Sequence, residues 1–247
     1  MIIALGTFLV TWLVRFRIQQ EKKKGEMKHQ LLELEMRALR SQMNPHFIYN
    51  ALNSIQSLVA TQQSKLAGKY ISIFGRLLRQ VLENSKYNVI PLNRELETLH
   101  HYIDLEKLRL DSDVTYEEWI DPDLVPESFR IPPLILQPFV ENALWHGLST
   151  KEGEKKININ ITVANGFVLF SITDNGIGRQ QSSQQKSTHA QHESFGIQVT
   201  AQRIDDFNGT GTDSQFHITD LQDTARQPMG TQVSFRVKCN TDPGLNL

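Results

Sequence analysis

Five groups of residues in this chain have types and spacings suited to chemistry, and the first is Met43, Asn44, Pro45, His46, Phe47, Ile48, Tyr49, Asn50. Proline inside a helical stretch removes a backbone hydrogen bond and crowds the preceding turn, at about 3 kcal/mol unless a kink is wanted. His46 and Asn50 lie four apart and share a helix face, so the amide can hold one ring nitrogen while the other faces outward. A kinked core helix with a satisfied histidine fits these residues equally well.

The second group is PPLILQPFVENALWHGL, in which Glu141 and Asn142 interrupt a helix whose other face is apolar. An amide oxygen such as that of Asn142 ligates a hard cation like Mg²⁺, and the neighbouring carboxylate of Glu141 can polarise a nucleophile. His146, four residues beyond Asn142, falls on the same side and within reach of a phosphate. The third group runs from Ile172 through Asp174, Gly176 and Gly178. Asp174 ends a strand, where a buried carboxylate can accept a hydrogen bond from an adenine amine, and the glycines admit close backbone approach. The fourth, Ser194 to Ile197 with Gly196 inside it, is expected to open the helix that reaches Arg203, where backbone amides meet phosphates. The fifth begins at Gly230, and the Thr231 hydroxyl can touch a base. A polar helix face and a common turn account for the second and third groups taken singly. No GxxxxGK[ST] loop occurs, so a nucleotide site here is of another type.

These groups need elements to hold them. Leu32, Met36, Leu39 and Met43 recur at steps of four and three, which predicts a helix from Glu26 to about Leu58. A second helix is predicted for Ser64 to Glu83, with Leu66, Tyr70, Ile73, Leu77 and Val81 on one stripe. Such a hairpin has too little partner surface to bury both stripes, and a second copy of the chain supplies it. Asn93 is expected to cap a third helix, Arg94 to Leu110. Beyond Asp111, Val114–Ile120 reads as a strand, Leu134–Leu148 as a helix and Lys156–Val163 with Phe167–Thr173 as a hairpin about Asn165 and Gly166. Ile197–Phe207 reads as a helix, and Gln215–Ile218 with Thr231–Val237 as closing strands. The polar run from Arg179 to Glu193 cannot bury itself and reads as a mobile loop. The fold class is α+β, a sheet layered with helices after a helical region.

The 247 residues are 39% hydrophobic with a net charge of -1, which gives ample core and no bulk basic surface for nucleic acid. The single cysteine, Cys239, excludes a disulfide framework and any cysteine-based zinc site. Ile2 to Val14 is nearly all apolar and is followed by basic residues, the flank of a membrane helix on its cytoplasmic side. A signal peptide would carry its basic residues before that run. From Met1 to Phe16 a helix reaches about 24 Å, short of the roughly 30 Å hydrocarbon core, so residues 1–18 read as part of a membrane span.

In this order the four downstream groups closely resemble the nucleotide-binding boxes of the GHKL, or Bergerat-fold, ATP-binding superfamily. Upstream, SQMNPHFIYNALNSI resembles the phosphoacceptor motif of LytS/YehU-type sensor histidine kinases, and PLNRELETLHHYIDLEKLRL resembles that family's connection into its ATP-binding domain. The resemblance covers roughly Leu31 to Val237. It implies a dimerisation and phosphoacceptor region over 26–110 and a Bergerat-type α/β sandwich over 111–240. It also implies a homodimer at the cytoplasmic membrane, with its kinase domains in the cytoplasm and no nucleic-acid partner. His46 would be phosphorylated from ATP, with Asn50 orienting it. Glu141 would be the carboxylate, Asn142 the Mg²⁺ ligand and Asp174 the adenine anchor. Gly176 and Gly178 would enter an ATP lid over 179–195, with Lys186, His189 or His192 as contacts, and Gly196 would end it. The phosphoryl group would pass to an aspartate of a separate response regulator. The sequence departs from the family pattern at Ser194 and Val199, and Phe47 stands where commoner sensor kinases have an acid. The rival readings are a GHKL ATPase clamp and a degenerate kinase serving as a membrane-linked dimeric binding module.

Overall fold

The computed structural model describes residues 12, 17, 45–110, 114–179, 190–209, 216–225 and 227–239, with the backbone alone at 45, 46 and 190–195. The chain divides between Ile48 and Tyr49 into two units, and the second carries the sheet. Apart from Trp12, the apolar start on which the membrane span rests lies outside the described residues, as do lid residues 180–189. Among the described residues no helix is long and apolar enough to cross a membrane.

Helix α1 (Pro45–Ala60) is described from the proline onward. It is followed by α2 (Ser64–Asn84), whose buried residues Ala67, Tyr70, Ile73, Phe74, Leu77 and Val81 keep the helical period. The short strand β1 (Ile90–Pro91) leads into α3 (Leu92–Leu110), which starts two residues earlier than its sequence suggests. Asn93, expected as a cap, lies inside the helix and accepts from its neighbour Arg94 N–H.

Five strands make one mixed sheet in the order β2-β4-β5-β7-β6: β2 (Val114–Ile120), β4 (Lys155–Ala164), β5 (Phe167–Asp174), β6 (His217–Gln222) and β7 (Pro228–Lys238). Only β2 with β4 is parallel; the other pairs are antiparallel. Between β4 and β5, Asn165 and Gly166 both take positive φ, as a tight hairpin turn requires. A separate pair of two-residue strands, β1 with β3 (Arg130–Ile131), joins the start of α3 to the segment before the next helix.

One face of the sheet is core. On β5 the alternation buries Val168, Phe170, Ile172 and then Asp174, so a carboxylate occupies the last position of an apolar row. The flanking residues in register are Ile157 of β4 and Thr231 of β7. Above this face lies α4 (Gln137–Asn142), which runs on as a π-helical segment, Ala143–Leu148. Phe139 of α4 sits 5.3 Å from Phe235 of β7, which stacks on Phe170 of β5 at 5.0 Å. This ladder fixes the helix to the sheet. The last helix, α5 (Ala190–Asn208), begins seven residues before Ile197, inside the stretch read as loop.

Candidate functional site

Asp174 is the centre of the site. Its side chain is 6% exposed, and its Oδ1 accepts the Gly176 N–H at 2.8 Å. Burial pushes its pKa up to about 6, while the Gly176 and Thr231 amides and the charge of Lys151 oppose the rise. Backbone closes around it. A Cβ on Gly147 would stand 2.6 Å from Oδ1, and one on Gly176 would fall 2.4 Å from the Gly147 backbone. Ile177 N–H donates to the Gly147 carbonyl at 3.0 Å, which locks the turn after β5 to the π segment. From the other side, Gly230 has φ 129°, and a Cβ there would lie 1.9 Å from the Asp174 carbonyl. Gly178, also at positive φ, is buried against Pro228.

Asn175 is bonded to backbone through both ends of its amide. Its Oδ1 accepts Lys156 N–H and its Nδ2 donates to the Glu154 carbonyl, fastening the end of β5 to the start of β4. Sequence reasoning found Asp174, Gly176 and Gly178 but passed over Gly147. The only signal for it was a glycine inside a helical run, which usually has a packing or functional reason.

Glu141 and Asn142 are half-buried at the end of α4, immediately before the helix widens. Asn142 Nδ2 donates back to the Pro138 carbonyl at 2.8 Å, so the amide oxygen is the end it offers to a cation. Among the described residues no three His, Cys, Asp or Glu side chains gather as a metal cage. Mg²⁺ carried by nucleotide phosphates asks only for one or two protein oxygens, and Asn142 fits that demand. His146 lies inside the π segment, four residues beyond Asn142. Such π segments recur at functional sites.

Behind Glu141 lies a second buried carboxylate. Glu106 of α3 is fully buried and accepts from Arg109, whose guanidinium lies 3.5 Å from the centre of the Trp145 ring. Burial raises Glu106 to about 7; Arg109 opposes the rise and the nearby charge of Glu141 adds to it.

Two expectations change. Ser194 and Gly196 do not open a helix, because α5 begins at Ala190 and only its first four amides lack intrahelical partners. Gly196 lies in the helix body, where its carbonyl accepts the Thr200 hydroxyl. Arg203, expected at a phosphate, is half-buried and donates to the Pro133 carbonyl at 2.8 Å. Arg179, at the start of the expected lid, forms a two-pronged pair with Asp220 of β6.

A residue the sequence did not single out organises this end. Glu95 of α3, 1% exposed, accepts Leu134 N–H at 2.7 Å and Leu136 N–H at 3.0 Å, and the Ile135 amide also bears on it. Leu134 has φ 58°, a conformation that costs a branched side chain roughly 1–3 kcal/mol and persists only when its surroundings impose it. The helix predicted from Leu134 therefore starts at Gln137.

Residues 34–114 match the histidine kinase family model. The Sensor protein LytS of Oceanobacillus iheyensis is 32% identical over 216 residues, which cover 85% of this chain and 35% of that protein. The Sensor protein LytS of Bacillus subtilis is 35% identical over 164 residues, 66% of this chain and 27% of that one. A solved histidine kinase domain, from the blue-light activated EL346 of Erythrobacter litoralis, aligns at a TM-score of 0.44 and 15% identity over 83% of this chain and 95% of that one, too loosely to add weight. The chain belongs to the histidine kinase family. Within it the chain is of the LytS type, and it spans about a third of the length of the LytS proteins it matches.

Proposed function

We propose that this chain is the kinase portion of a two-component sensor. It would bind ATP with Mg²⁺ in a Bergerat-type domain, phosphorylate its own His46, and pass the group to an aspartate of a separate response regulator. The observation that carries this reading is Asp174, an ionisable side chain at the end of an apolar core row, enclosed by the backbones of Gly147, Gly176 and Gly230. Stability alone disfavours a carboxylate there. An exocyclic amine of adenine supplies the hydrogen bond that makes it worthwhile.

In this reading Asp174 selects the base and the Thr231 hydroxyl lies one strand away to meet the same ring. Asn142 offers its amide oxygen toward the phosphates, and Glu141 beside it orients the attacking group. Mg²⁺, when bound, neutralises charge on the phosphate oxygens during transfer. His46 attacks through the ring nitrogen that carries no hydrogen, with Asn50 holding the ring. His146 and the lid residues bear on the phosphates, whereas Arg203 serves the fold. Phosphoryl transfer is mostly positioning, so the constellation requires little covalent chemistry from the protein.

A homodimer is part of the proposal. Tyr49, Leu52 and Val59 of α1 and Ile71 of α2 are at least half exposed, an apolar surface that a second copy would cover. The apolar start would hold the dimer at the cytoplasmic membrane, with the kinase domains in the cytoplasm. The test incubates the chain with Mg²⁺ and γ-labelled ATP. Acid-labile, base-stable label on the protein that chases onto a receiver domain is the expected result. ATP hydrolysis undiminished in His46→Ala, with no label on the chain, would replace the kinase by an ATPase.

A further inference from the structure

Four consecutive residues, Pro133 to Leu136, are held from two sides. From α3, Glu95 accepts the Leu134 and Leu136 amides at 2.7 and 3.0 Å. From α5, Arg203 donates to the Pro133 carbonyl at 2.8 Å. The amides of this turn form a concave nest for one carboxylate, placed directly before α4, where a helix has N–H groups without partners. The positive φ of Leu134 is the shape this nest imposes on the chain. Glu141 and Asn142 follow at the far end of the same short helix, about 9 Å from Leu136 by helical rise. No loop intervenes to absorb a shift.

We propose, resting on the nucleotide-site reading above, that Glu95 and Arg203 are positioning residues, a two-sided clamp that sets where Glu141 and Asn142 meet the phosphates. The clamp links the site helix to α3, which comes after the helical hairpin in the chain, and to α5. A displacement of either helix is thereby delivered first to the metal-binding end of the site, on α4 itself, and reaches the Asp174 end only further along, through the π segment and Gly147. Burial holds the Glu95 carboxyl above its usual range, offset by the three amides and the charge of Arg203.

The experiment uses the full chain and its Glu95→Gln variant, measuring ADP affinity with Mg²⁺ and with the metal chelated, together with amide hydrogen exchange at residues 134–136. Glu95→Gln replaces one acceptor with a donor facing an N–H. The expected result is exchange faster by roughly tenfold or more, and a Mg²⁺-dependent gain in ADP affinity reduced by about tenfold, with metal-free affinity within about twofold of the original. An unchanged Mg²⁺ gain would overturn the clamp, as would equal loss of both affinities. If Glu95→Gln does not fold, Arg203→Gln, which keeps an amide donor for the Pro133 carbonyl, must show the same split or the proposal fails. The unaltered chain separates the two readings: if it shows no Mg²⁺-dependent ADP binding, the nucleotide site itself is wrong and the clamp falls with it.

Discussion

Asp174 concentrates the chemistry at the scale of single residues. Its carboxyl titrates near pH 6 in the folded chain, above an ordinary aspartate, because burial penalises the charged form. Between the ordinary value and about 6 the folded state therefore binds more proton than the unfolded state. The group's contribution to stability is fully present at the acid end of that window and is lost as pH rises through 6. Nucleotide binding has the opposite sign, since only the carboxylate accepts from an amine. ATP affinity should fall by about tenfold per pH unit below 6 and level off above it, a profile that calorimetry can record. Asp174→Asn should flatten that profile and weaken binding by roughly 10–150-fold, the worth of a hydrogen bond to a charged group. Asp174 was legible in the sequence because an acid ends an alternating strand and is followed by glycines. Glu95 was not, since its partners are amides some forty residues away in a turn whose shape they define together.

At the scale of elements, the periods of 3.6 and 2 account for α2, α3, β2, β4, β5 and β7 within a few residues. What they miss has physical reasons. Two-residue strands such as β1 and β3 are too short to carry a period, and a six-residue π segment differs from an α-helix only in its hydrogen-bond partners. The early start of α5 escapes because a polar run reads as loop when its packing partner is unknown. The site depends on that π segment, which brings the Gly147 backbone against Asp174. Gly147→Ala would press a methyl group into Oδ1. We expect it to cost about 1–3 kcal/mol in denaturant unfolding and to abolish measurable ATP binding while circular dichroism stays native. Full ATP affinity in a folded Gly147→Ala chain would show that the carboxylate is not the anchor.

For the whole molecule, the order of the groups along the chain was the strongest sequence signal, because each is common alone and their succession is not. In the fold, Asp174 rests on the sheet and against the π segment, whereas Glu141 and Asn142 rest on a short helix tied to α3 and α5. Dimerisation belongs to this scale, since α1 and α2 leave large apolar side chains exposed. Sedimentation of the segment from Lys28 onward should give twice the chain mass, and a monomer at micromolar concentration would remove the shared-helix argument. The central claim is that ATP held at Asp174 and Asn142 phosphorylates His46. Mapping the phosphoryl group by mass spectrometry after incubation with Mg²⁺-ATP tests it most directly. The account requires an acid-labile phosphohistidine at His46, absent from His46→Gln although that variant still binds ATP. A stable phosphoryl group at another residue, or label unchanged in His46→Gln, would contradict it.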